Sequence, residues 1–289
     1  MVSPASPIVV LDSGLGGLTV VRALQQQSPG ENILYFGDTA RVPYGTKSAD
    51  TVTVFVREII TYLQRFCPKH VVIACNTATA LALPAIKAEF PHLPISGVIE
   101  PGARAAIVAA GSKPVPRIAV IATEATVKSK AYERAIARRR SHAHVNVLAT
   151  PLLVPIIEDG RDETDALVRI ALTQYLKPLA QRQPDVLVLG CTHYPVFKRL
   201  ISQMMGERCK VIDSAEQCAQ DVTHRLRISG LSSPNEDAGK LKCFVTDDPA
   251  KFRSLAARFL GTDIEEPTRV AIEELTMPPV PKIELRQAG

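Results

Sequence analysis

The sequence predicts an α/β protein of two domains of similar fold, each built on a mainly parallel sheet. Three observations carry that prediction. Short apolar runs alternate with longer helical patterns from end to end, as in repeated β-α units. The short runs are apolar at consecutive positions, as in strands buried on both faces. The pattern also restarts near Arg117, and both halves contain an apolar run that ends in cysteine.

Taken in order, Ile8–Leu11 reads as a buried strand, followed by a glycine-rich turn and a helix over Leu18–Gln27 that Pro29-Gly30 stops. Ile33–Phe36 is the next strand. Ser48 is placed to cap a helix whose Val52, Phe55, Val56, Ile59, Ile60 and Leu63 share one face. His70–Ala74 is a strand leading into a helix near Thr77, and Ile95–Val98 is a short strand. The second series has strands at Arg117–Ile121, Val145–Leu148, Asp185–Leu189 and Lys210–Ile212, with helices over Val127–Arg140 and Asp162–Leu179. Ser214–Gln217 has capping-box spacing for a following helix. Leu241–Val245 is a further strand, and Pro249 opens another helix. The tail beyond Pro278 reads as a proline-rich, polar surface extension.

Composition narrows the function. The chain has 289 residues, 46% of them hydrophobic, enough for a large core or two ordinary ones. Charged residues make up 22% and are spread throughout, which excludes a disordered chain. No run reaches the ~20 apolar residues of a membrane span. Met1–Pro7 lacks the basic start of a signal peptide, so a cytoplasmic protein is expected. The net charge of +5, the absence of Trp and the 5% aromatic content do not fit a dedicated nucleic-acid binder. Arg138-Arg139-Arg140 reads as a solvated helix end. The six cysteines form no C-x-x-C pair and show no zinc-finger spacing, so neither a metal site nor a disulfide framework is expected. Cys67, Cys209, Cys218 and Cys243 read as packing residues.

Cys75 and Cys191 stand apart by position. Val71-Val72-Ile73-Ala74-Cys75-Asn76-Thr77 and Val186-Leu187-Val188-Leu189-Gly190-Cys191-Thr192-His193 are both apolar strands ending in cysteine and a polar residue before a helix. Upstream of each lies another strand end with hydroxyl and acidic residues, Leu11-Asp12-Ser13 and Ala122-Thr123-Glu124. Ligands of open α/β sheets bind beyond such carboxyl ends. A helix start there offers free N–H groups and is expected to lower a thiol's pKa. One such cysteine would imply a nucleophile. Two facing one cleft imply inversion of a tetrahedral carbon, one sulfur removing a proton while the other returns one.

Asp12-Ser13-Gly14-Leu15-Gly16-Gly17 partly resembles a dinucleotide fingerprint, but its opening aspartate would repel a pyrophosphate. Asp12 fits better as a proton partner or ammonium ligand. Gly37–Gly45 contains Pro43, Tyr44 and Gly45 at a strand end, where Tyr44 is placed to hydrogen-bond a ligand carboxylate. His193, two residues past Cys191, is placed to tune that thiol or bind substrate.

Asp12-Ser13-Gly14, Pro43-Tyr44-Gly45, Ala74-Cys75-Asn76-Thr77 and Gly190-Cys191-Thr192-His193-Tyr194-Pro195 together resemble the glutamate racemases of the aspartate/glutamate racemase superfamily. The resemblance runs from about residue 8 to 265. It implies two α/β domains enclosing a central cleft, with residues 99–211 inserted into a first domain made of 1–98 and 212–289. It implies cofactor independence and glutamate as substrate, interconverted between its L and D forms to supply D-glutamate for peptidoglycan in a bacterial cytoplasm. It assigns Cys75 and Cys191 as the acid/base pair, with Asp12, His193 and Glu158 beside them. Ser13, Pro43, Tyr44, Gly45, Asn76, Thr77 and Thr192 fall at its substrate-binding positions, along with Asp12 and His193. It leaves a homodimer open. A sibling aspartate racemase and a noncatalytic acidic amino-acid binder are the competing readings.

Overall fold

The computed structural model describes residues 2–276. It contains two sheets whose observed pairings are parallel, and both are flanked by helices. The first has six strands, which run in chain order β1 (Ile8–Asp12), β2 (Ile33–Gly37), β3 (His70–Ile73), β4 (Ile95–Gly97), β9 (Leu241–Val245) and β10 (Thr268–Arg269). Their spatial order is β10-β9-β2-β1-β3-β4. The second sheet holds β5 (Arg117–Ala122), β6 (His144–Ala149), β7 (Val186–Gly190) and β8 (Lys210–Asp213) in the order β6-β5-β7-β8. The α/β class and parallel sheets expected from the apolar runs are therefore present. The proline-rich stretch beyond Pro278 lies outside the described residues.

Burial follows position in the sheet. Every residue of β1, β3 and β7 is buried, as flanking helices require of central strands. The edge strand β6 is only partly covered. Both sheets reverse direction next to their first strand. From β1 the chain adds β2 on one side and then β3 on the other, and from β5 it adds β6 and then β7 likewise. Each sheet thus has a topological switch point, where a crevice opens beyond the strand ends.

Three local expectations need correction. The helix expected over Val127–Arg140 is two helices, Glu124–Lys128 and Ala131–Ala137. Between them Lys130 turns left-handed (φ 54°), and Ser129 competes with the helical ladder by donating to the Thr126 carbonyl (2.6 Å) and accepting from the Ala131 N–H (3.1 Å). The helix after β8 starts one residue earlier than the capping-box spacing implied. Asp213 is its cap, accepting from the Ala215 N–H at 3.2 Å, and Ser214 is its first residue. No α-helix follows Cys191 directly; a turn leads into the 3-10 helix Tyr194–Phe197 and only then into Lys198–Met205. The arginine run does follow a helix end, where Arg138 and Arg139 pair with Glu100. No helix among the described residues is long and apolar enough to cross a membrane.

Candidate active site

The two switch points open into one cavity of about 530 Å³. Its wall includes Ser13, Pro43, Tyr44, Gly45, Cys75, Asn76 and Thr77 from loops of the first sheet. From the second sheet come Glu158, Cys191, Thr192 and His193. Every residue expected at the site except Asp12 is therefore brought to one wall.

Cys75 caps the short helix Asn76–Leu81. Its Sγ lies 3.5 Å from the Ala78 N–H and 3.6 Å from the Ser13 hydroxyl, both placed to donate. The expected lowering of its pKa does not occur. Cys75 is only 6% exposed, and burial, reinforced by the charge of Asp12, pushes it up to about 12. The two donors pull the other way and lose. Cys75 is consequently a neutral thiol at pH 7.

Cys191 sits in different surroundings. His193 Nδ1 is 3.7 Å from its Sγ, and His193 Nε2 is 2.9 Å from Glu158 Oε1, so thiol, imidazole and carboxylate form a chain. Burial alone would lower the His193 pKa. Its hydrogen bonds to Cys191 and Glu158 override burial and push it up to about 10. Glu158, which burial would raise, is held below its usual value by the bond and charge of His193, with Lys251 adding to both.

Asp12 does not reach the wall. It is fully buried, accepting from the Gly14 N–H (3.0 Å) and the Thr192 hydroxyl (3.4 Å). Burial raises its pKa, against the opposing charge of His193 and the N–H groups of Gly14 and Gly17. It stands behind Cys75 and links the first sheet's glycine loop to the loop carrying Cys191. Gly16 makes that approach feasible: a Cβ there would run into Thr192 Oγ1 and lie 2.6 Å from His193 Nδ1.

Tyr44 lines the cavity, yet its hydroxyl is not free for a ligand. It donates to the buried Asp38 carboxylate, which also accepts from Arg41 Nε (2.7 Å) and the Thr246 hydroxyl (3.0 Å). The hydroxyl thus anchors the Pro43-Tyr44-Gly45 loop. Asn76 accepts from the Tyr132 hydroxyl at 2.7 Å, while its buried Nδ2 has no partner. Thr77 and Thr123, from opposite sheets, meet at 2.8 Å.

Sequence reasoning did not place Thr123, Glu124, Thr150, Val154, Asp159 or Lys251 in the wall. Thr123 and Thr150 directly follow β5 and β6. The rule that ligands bind beyond strand ends was a signal that could have found them. Lys251 has no such signal, because it enters from the helix Pro249–Leu260. Cys209, Cys218 and Cys243 are buried and Cys67 is half-buried; none lines the cavity. Among the described residues no three His, Cys, Asp or Glu side chains gather in a way that could hold a metal ion.

Comparison with known proteins gives one family. The sequence pattern described as Asp/Glu/Hydantoin racemase matches residues 10–222. A glutamate racemase from Geobacter metallireducens is 44% identical over 270 residues, covering 93% of this chain and 98% of that protein. The crystal structure of glutamate racemase isoform RacE1 from Bacillus anthracis superposes with a TM-score of 0.85 at 38% identity, covering 92% of this chain and 97% of that one. Glutamate racemase from Francisella tularensis, solved in complex with D-glutamate, gives 0.84 at 34% identity, covering 93% and 98%. Matched over more than nine-tenths of its length in this way, the chain belongs to the Asp/Glu/hydantoin racemase family and groups with its glutamate racemases.

Proposed function

We propose that this protein is a glutamate racemase that interconverts L- and D-glutamate by two-base chemistry without a cofactor, and so supplies D-glutamate for peptidoglycan in the cytoplasm. The observation that carries the reading is the pair of cysteines at the switch points of two sheets, both lining one cavity.

In the L-to-D direction the Cα–H bond of glutamate breaks, and its proton passes to the Cys191 sulfur. Cys75 delivers its thiol proton to the opposite face, and its sulfur keeps the electron pair of the broken S–H bond. The reverse direction exchanges the roles. For this step Cys191 enters as the thiolate, and the charged His193, 3.7 Å from its Sγ, carries the proton of the pair and is positioned to return it. The difference between the two sulfurs supports this division, since Cys75 enters the cycle as a thiol and Cys191 carries its own proton partner.

The α-proton of an amino acid is far less acidic than a thiol, so the site must stabilise developing negative charge in a dry environment. Both cysteines are only 6% exposed, which supports that condition. The unpartnered Asn76 amide and the Thr77–Thr123 hydroxyl pair supply donors for substrate carboxylates, while the Ser13 and Thr192 hydroxyls are directed at Cys75 and Asp12. Glu158 is the wall carboxylate best suited to keep the substrate ammonium charged. Asp12 acts from behind, through Cys75 and Thr192. We further propose that each sheet with its helices forms one domain, the second inserted into the first, so that closure of the two excludes water.

The test is α-proton exchange in D2O. The purified protein is incubated with L-glutamate and no added cofactor, and NMR and optical rotation are followed together. Deuterium incorporation with loss of rotation is expected, with each of Cys75→Ala and Cys191→Ala reducing the rate by at least ~10³-fold. Activity on aspartate alone would move the assignment to a sibling racemase. Binding of acidic amino acids without exchange would make the protein a noncatalytic binder.

A further inference from the structure

The helix Pro249–Leu260 belongs to the first sheet's side of the molecule, between β9 and β10, yet three of its residues bear on groups that follow strands of the second sheet. Arg258 Nη1 donates to the Ile157 carbonyl at 2.9 Å, and Nη2 donates to the Arg161 carbonyl. Phe259 packs its ring edge-on to the His193 imidazole, with centroids 5.5 Å apart and planes at 86°. Lys251 lines the cleft and helps hold Glu158 ionised.

The Arg258 contact has a specific consequence. Ile157 lies in the last turn of the helix Leu153–Glu158, whose final carbonyls have no partner within the helix. The guanidinium is a second donor to the Ile157 carbonyl, which also accepts from the Gly160 N–H at 3.1 Å, and its positive charge suits the negative end of the helix. Its rigid fork also reaches Arg161, so it spans the turn in which Glu158 and the left-handed Gly160 (φ +81°) lie. Glu158 is itself one-third exposed, and the contact to His193 is the hydrogen bond found for its carboxylate. Its direction therefore depends on how firmly this turn is held.

We propose that Arg258 is a positioning residue: by clamping the turn 157–161 it keeps Glu158 on the His193 imidazole, and through it sets the proton exchange of His193 with Cys191. The inference rests on the racemase reading for its catalytic meaning, though the clamp itself does not.

The titratable groups facing His193 are Cys191 from its own loop, Glu158 from the clamped helix and Asp12 from the end of β1. Lys251 faces Glu158 from the same helix as Arg258. Loosening Glu158 removes one of the two hydrogen bonds that hold the imidazole charged. The neutral form then gains, and His193 loses its proton at lower pH.

The experiment combines NMR titration of the His193 imidazole, assigned by its absence in His193→Asn, with kcat and KM for L-glutamate against pH. Arg258→Met keeps the apolar stem and removes the fork. It is expected to move the His193 titration down by about one pH unit, on the scale of one charged hydrogen bond. It is also expected to lower kcat about tenfold with a smaller change in KM. Arg258→Lys keeps the charge but reaches one carbonyl at a time, and should recover part of both. An unmoved His193 titration in folded Arg258→Met overturns the proposal whatever happens to activity. Should that variant not fold, Arg258→Lys decides: a smaller displacement in the same direction supports the clamp, and none overturns it. The titration needs no turnover, so a wild-type protein that fails to racemise glutamate sinks the functional reading alone.

Discussion

Cys75 stands at a strand end and a helix start, where a thiol is expected to ionise early, yet its pKa rises to about 12. The donors promised by the local geometry are present, but removal from water beside Asp12 costs the anion more than they return. His70 shows the same contest with the opposite charge. It is buried in β3, its Nε2 2.8 Å from the Ser96 hydroxyl, and burial lowers its pKa to about 4, helped by the charges of Arg225 and Lys87. The unfolded chain takes up a proton below pH 6.5 that the folded one refuses until about pH 4. Stability therefore falls as pH drops through that window, by about 3 kcal/mol if His70 acts alone. In urea titrations at pH 7 and pH 4.5, His70→Gln should lose markedly less stability between the two than wild type. Equal losses would remove His70 as the cause.

Among the elements, those with strong local signals form close to their expected bounds. Leu18–Gln27 and Leu241–Val245 match residue for residue, and Ser48 caps its helix through the Thr51 N–H. Elements governed by competing contacts were not legible. The break at Lys130 arises from Ser129 bonding to its neighbours' backbone, and the helix Ile99–Ala110 hides behind Pro101 and Gly102. The glycine loop after β1 was legible as a glycine-rich turn, but what it packs against was not. What Gly16 admits is a protein loop, Thr192-His193, rather than a ligand. Gly16→Ala should push the two loops apart. A displacement of ~1 Å at a catalytic pair costs on the order of 10²-fold in rate, so kcat/KM should fall by that factor, with a lower melting temperature. Wild-type kinetics in this variant would show that the loops tolerate separation.

At the scale of the whole molecule, polar contacts join the two sheets behind the cleft. Tyr132, from the helix Ala131–Ala137, donates to Asn76 beside Cys75, and Thr77 meets Thr123 and Thr126. The Asn76 amide nitrogen is already buried without a partner. Tyr132→Phe would leave its carbonyl oxygen in the same condition, at about 1–3 kcal/mol. That cost should appear as a lower denaturation midpoint together with a raised KM for glutamate, since the contact helps hold Asn76 in the wall. A loss of stability with KM unchanged would limit the bond to a structural role.

The sequence by itself determined the α/β class, the parallel strands and the two cysteines at strand ends, because these rest on short-range patterns: apolar runs, turn residues and a cap within a few positions. It also carried the residues by which the chain resembles its family. Tertiary structure alone decided which polar groups lose water. Asp12 went behind the wall, the Tyr44 hydroxyl was spent on Asp38, Cys75 became a neutral thiol, and Lys251 and Arg258 reached the second sheet's residues from a helix of the first. Burial is set by parts of the chain that meet only in the fold, as Asp12 and Thr192 do across 180 residues, and no local pattern encodes that meeting.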